Sequence, residues 1–168
     1  MNNIILIGFM GSGKSSVGRY MEESEGFALI DTDEYIEKQQ NDSINNIFAN
    51  KGEEYFRNLE MECIKELIAL NTDMTVISVG GGLPMRGENQ KLLKELGKIV
   101  YLRATVDTLV SRLTDDTTRP LLKGGNLRQK ITELFEKREA TYEGIADIVI
   151  DTDNYSPKEI YNIIKERL

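Results

Sequence analysis

The sequence predicts an α/β domain in which helices cover both faces of a parallel sheet. Three observations carry this reading. Five short apolar, β-branched runs recur along the chain, helical patterns separate them, and the runs are continuous rather than alternating. Continuous apolar runs mark strands covered on both sides, and strand–helix alternation builds a parallel sheet between two helical layers. No internal repeat, low-complexity tract or linker interrupts the 168 residues, so one domain spanning 1–168 is expected.

The first run, Ile4–Ile7, leads into a helix whose Val17 and Met21 face inward. The later runs are Phe27–Ile30, Thr75–Val79, Ile99–Leu102 and Ile148–Ile150. Between the second and third, Phe56, Leu59, Cys63, Leu67 and Leu70 follow 3-4-4-3 spacing. That is one face of a helix of about five turns, and it makes Cys63 a core residue rather than a reactive one. Ser156-Pro157-Lys158-Glu159 places a capping serine, a proline at the first helical position and a glutamate at the third. Ile160, Ile163 and Ile164 then mark the apolar face of the last helix. Asp115–Asn126 and the segment around Gly80–Gly87 fit no regular pattern, which makes them candidates for ligand contact.

Hydrophobic residues form 40% of the chain and charged residues 29%, ordinary values for a globular protein. The formal net charge of −7 argues against a general nucleic-acid or membrane-surface binder. An anionic ligand therefore needs a local cluster of Lys and Arg. Cys63 is the only cysteine, so no internal disulfide forms and a reducing, cytoplasmic setting is expected. Histidine is absent, which removes imidazole acid–base chemistry and histidine metal sites. No run approaches the ~20 apolar residues of a membrane span.

Gly8-Phe9-Met10-Gly11-Ser12-Gly13-Lys14-Ser15 fits the G-x-x-x-x-G-K-S/T pattern between a strand and a helix. Its glycines allow a tight turn that brings backbone N–H groups to phosphate oxygens, and the helix N-terminus favours an anion. Lys14 is long enough to reach the β- and γ-phosphates, and the Ser15 hydroxyl suits Mg²⁺. This pattern is strong evidence for nucleotide phosphate and silent about the acceptor.

Asp31-Thr32-Asp33 follows the second strand, at the ligand-binding edge of an open sheet. One carboxylate can support a Mg²⁺ shell and the other can take an acceptor's proton; a helix cap is the alternative. Arg57, beside inward-facing Phe56, reads as an anion clamp or as a solvated arginine. Gly80-Gly81-Gly82 permits close approach of a ligand to the backbone, or is a plain loop. Arg119-Pro120-Leu121-Leu122 lies in an irregular stretch that can close over ATP, or stay an exposed loop. Arg138, near a helix end, can complement the helix dipole or bind a ligand.

Taken in order, the phosphate loop, Asp31-Thr32-Asp33, Ile47-Phe48 with Gly52-Glu53 and Phe56-Arg57, Gly80-Gly81-Gly82, Arg119-Pro120-Leu121-Leu122 and Arg138 resemble the shikimate kinase family. The resemblance runs from Ile4 to about Asp153. It implies a three-layer, nucleoside-monophosphate-kinase-like fold with strand order 2-3-1-4-5, a mobile lid at about 114–126 and a substrate-binding helical segment at about 33–60. It also implies Mg²⁺-dependent phosphorylation of the 3-hydroxyl of shikimate by ATP, in a monomer. ATP would be held by Gly11, Ser12, Gly13, Lys14, Ser15, Ser16, Arg112 and Arg119. Lys14, Asp33 and Arg119 would be catalytic, with Asp33 the base. Shikimate would meet Asp33, Arg57, Gly80, Gly81, Gly82 and Arg138, while Ser15 and Asp31 would serve the metal. Two departures stand out. Arg138-Glu139-Ala140-Thr141-Tyr142 lacks the proline usual before the tyrosine, and Ser16 replaces a commoner threonine. Rival readings are a gluconate or nucleoside-monophosphate kinase of the same fold, or a nucleotide-binding module without catalysis.

Overall fold

A computed structural model describes residues 2–168. Five parallel strands, β1 (Ile4–Ile7), β2 (Ala28–Asp31), β3 (Thr75–Ser78), β4 (Lys98–Arg103) and β5 (Ile148–Asp151), form one sheet ordered β2-β3-β1-β4-β5. Helices α1 (Lys14–Glu25), α2 (Thr32–Gln40), α3 (Ile44–Ala69), α4 (Gly87–Leu96), α5 (Val106–Leu113), α6 (Leu127–Ile145) and α7 (Pro157–Arg167) connect and cover it.

Alternation along β1 creates the three layers. Ile4 and Leu6 pack on one face with Val17 and Met21 of α1 and Ile160 and Ile164 of α7. Ile5 and Ile7 pack on the other with residues of α3 to α6, such as Ile64, Leu93, Leu109 and Ile131. β1 and β3 are buried at every residue, as their unbroken apolar runs require. β2 differs: as an edge strand it is only partly buried. It also starts one residue later than its apolar run, because the Phe27 N–H donates to Met21 O at the end of α1.

α3 contains the one helix whose expected face needs correcting. Gly52 breaks it ahead of Phe56 with φ 83° and ψ 171°, a left-handed φ that glycine tolerates, and Leu70 ends it as the C-cap. Phe56, Cys63 and Leu67 are buried as the spacing predicts. Leu70 is 62% exposed instead, and Glu60 and Ile64 take up inward positions. At the C-terminal end the Ser156–Glu159 capping box forms as expected. Among the described residues no helix is long and apolar enough to cross a membrane.

Candidate active site

The loop from β1 into α1 carries the residues expected to meet phosphate. Lys14 is buried, and its Nζ donates to the carbonyls of Gly8 (2.9 Å) and Phe9 (3.0 Å). Burial, with help from the nearby Arg119 charge, lowers its pKa to about 8. Ser12 is buried and its hydroxyl has no protein partner. Arg112, from the last turn of α5, donates to Gly11 O at 2.9 Å and closes the loop from the side. These residues line a cavity of about 410 Å³ that also takes in Ser15 and Ser16 and ends at Thr152, Tyr155 and Pro157.

Each residue of Asp31-Thr32-Asp33 has a separate task. Asp31 Oδ1 accepts the N–H groups of Asp33 (2.9 Å) and Glu34 (3.3 Å), capping α2. The capping reading is therefore correct for Asp31, which also lines the cavity. Thr32 is fully buried and its Oγ1 accepts the Gly80 N–H at 3.0 Å, tying β2 to the turn after β3. Asp33 faces the cavity, with Oδ1 buried and lacking a hydrogen-bond partner. Burial, then the like charge of Asp31, raise its pKa to about 6.

A second cavity of about 430 Å³ opens on the other side of Asp33. Its walls include Phe48, Phe56, Arg57, Glu60, Arg138, the Gly80–Gly82 turn and Pro120 and Leu121. Arg57 is held on its own helix by Glu60 (2.7 Å) and Glu53 (3.2 Å), and its guanidinium sits 5.4 Å from the Phe56 ring centre. Arg138 is 4% exposed, lies 5.7 Å from the Phe9 ring centre and has an unpartnered Nη1. α6 runs unbroken through Glu139, Ala140 and Thr141, so the absent proline leaves Arg138 in the cavity wall.

Asp31, Asp33, Ser15, Gly80, Gly81 and Arg119 line both cavities. Every candidate residue identified in the sequence lines at least one of them. Glu60 escaped that reading. It is 1% exposed, and burial raises its pKa to about 7 against the pull of Arg57. Its signal was the Arg57-to-Glu60 spacing of three, which places a cation and an acid together on a helix. Thr32 and Tyr142 were missed as well, because their bonds to the glycine turn span distant parts of the chain.

Ser15 and the second carboxylate oxygen of Asp31 offer hard oxygen donors beside the phosphate loop, which suits Mg²⁺. No group of three or more His, Cys, Asp or Glu suited to a metal occurs among the described residues. A Mg²⁺ ion bound mainly by phosphate oxygens and water does not require one.

The shikimate kinase family model matches residues 10–168. A shikimate kinase from Persephonella marina is 45% identical over 168 residues, covering 100% of this chain and 99% of its relative. A solved structure of a shikimate kinase from Acinetobacter baumannii in complex with shikimate superposes with a TM-score of 0.93 at 33% identity, covering 99% of this chain and 92% of the other. The shikimate kinase of Aquifex aeolicus gives a TM-score of 0.83 at 38% identity, with 98% and 95% covered. Full-length similarity and shared architecture thus agree with the two joined cavities, and the chain belongs to the shikimate kinase family.

Proposed function

We propose that this chain transfers the γ-phosphoryl group of ATP to the 3-hydroxyl of shikimate, yielding shikimate 3-phosphate and ADP on the route to aromatic amino acids. One observation carries the reading at the level of residues. Asp33 stands in the wall common to both cavities, with Lys14 and Arg119 beside one and Arg57 and Arg138 beside the other.

ATP lies with its phosphates along Gly11–Ser16 and its base toward Arg112. Lys14 and Arg119 hold the transferring group and offset the charge that builds on it. The shikimate carboxylate sits between Arg57 and Arg138, against the Gly80–Gly82 backbone. Paired guanidinium groups give local recognition of an anion in a chain of net charge −7. Asp33 takes the proton of the 3-hydroxyl as that oxygen bonds to phosphorus. The bond from phosphorus to the bridging oxygen breaks and ADP leaves. A Mg²⁺ ion on Ser15, its water shell supported by Asp31, would supply charge neutralisation at the β- and γ-phosphates.

The segment at about 33–60 holds the acceptor, and the lid at about 114–126 closes to exclude water. The chain works as a cytoplasmic monomer of one domain. Product analysis tests the reading: phosphorus–proton coupling in the NMR spectrum of the product must place the phosphate on the 3-oxygen. Phosphate on another hydroxyl would contradict it.

A further inference from the structure

Tyr142 lies outside every role assigned so far, yet it is bonded to the glycine wall of the second cavity. Its side chain is fully buried, and its hydroxyl donates to Gly81 O at 2.5 Å. Arg138 lies one helical turn earlier on α6, and it too is buried. Tyr101 packs against its ring with centroids 5.1 Å apart, so the ring has little freedom.

Three glycines in a row have the largest backbone freedom a chain can possess, and a binding wall made from them must be fastened from outside. The fastenings are all visible. The Gly80 N–H goes to Thr32 Oγ1, Gly80 O accepts from Leu83 N at 3.0 Å, and Gly82 O accepts from Met85 N at 3.1 Å. Gly81 O has the Tyr142 hydroxyl. The C=O and N–H of one trans peptide point in opposite directions, so holding Gly81 O also fixes where the Gly82 N–H points. Gly81 and Arg138 are close neighbours: a Cβ added to Gly81 would lie 3.1 Å from Arg138 Nη1.

We propose that Tyr142 is a positioning residue for recognition of the acceptor's carboxylate, its phenol locking the Gly81–Gly82 peptide in place against the Arg138 guanidinium. The inference rests on Arg138 acting as a carboxylate clamp. Burial pushes the Tyr142 pKa up to about 12, so the hydroxyl remains a donor through the neutral range.

Tyr142→Phe removes only the hydroxyl, and steady-state kinetics with shikimate and with its methyl ester read the effect. The KM for shikimate should rise about three- to tenfold, the range expected for one lost hydrogen bond. The KM for ATP and kcat should stay within about twofold, and the ester's KM should barely change, because the uncharged group gains little from the clamp. Tyr101→Phe is the matched control. It removes a buried hydroxyl that has no partner and should leave both KM values unchanged. An unchanged shikimate KM in Tyr142→Phe overturns the proposal, as does an equal rise for acid and ester, which is loss of packing. A wild-type enzyme indifferent to esterification removes the clamp itself and the inference with it. Should Tyr142→Phe fold poorly, NMR of the unmodified chain decides. A slowly exchanging Tyr142 phenol proton that shifts with shikimate and not with the ester supports the role, and one that shifts with neither overturns it.

Discussion

Arg119 Nη1 lies 3.7 Å from Asp33 Oδ2, so a guanidinium and a carboxylate face each other where the two cavities join. Arg119 also approaches Asp116 at 3.4 Å, on its own segment. The Arg119 side chain is 40% exposed, and an ion pair of this kind contributes little stability. It therefore exchanges readily, and in the proposed reaction an ATP phosphate would draw Arg119 away and leave Asp33 to the acceptor hydroxyl.

Asp33→Asn keeps the shape and removes the proposed base. Its kcat should fall about 10²- to 10⁴-fold, the usual contribution of a positioned general base. ATP affinity, measured by calorimetry, should stay within about twofold. An unchanged kcat would take Asp33 out of this role.

Arg57→Ala should raise the KM for shikimate by roughly ten- to a hundredfold, the scale of a charge-assisted hydrogen bond. Little change is expected in the KM for ATP. The variant also leaves Glu60, which is 1% exposed, without its partner, so some loss of thermal stability should accompany the kinetic change. An effect confined to ATP would contradict the assignment.

Gly82→Ala tests the same wall by crowding. A Cβ there would lie 2.4 to 2.5 Å from the Arg57 guanidinium, so Arg57 must move. Melting temperature should change little, since the guanidinium is the flexible end of its side chain, while the shikimate KM rises several-fold. Wild-type shikimate kinetics in this variant would show that the position of Arg57 is unimportant.

The pH dependence follows from the raised carboxyl groups and the lowered ammonium. Asp33 must be ionised to take a proton, so kcat/KM for shikimate should fall as pH drops below the region of about 6 to about 7. Asp33 raises the pKa of Glu60, so the apparent values belong to the pair. On the alkaline side Lys14 loses its charge near about 8, and kcat/KM for ATP should decline there. A profile flat down to the ordinary aspartate range near 4 would contradict the buried environment of Asp33.

Local pattern made much of this molecule readable. Phosphate binding demands glycines and a lysine at fixed spacing, so Gly8–Ser15 announces itself, and the unbroken apolar runs mark β1 and β3. Long-range polar fastening is different. Thr32 and Tyr142 hold Gly80 and Gly81 from 48 and 61 residues away, and no local spacing encodes such a bond. Glu60 was hidden for another reason. An acid on a helix reads as solvated unless its partner is known, and only the packing of α3 puts the Arg57–Glu60 pair inside. Leu70 shows the converse: it extends the apolar spacing, yet it caps the end of α3 and points to solvent.

The most direct measurement is ADP release by the purified chain with ATP and Mg²⁺ across a panel of shikimate, gluconate and nucleoside monophosphates. Sustained turnover with shikimate and none with the other acceptors is the predicted result. Turnover with gluconate or a nucleotide and none with shikimate, or ATP binding with no turnover on any acceptor, would contradict it.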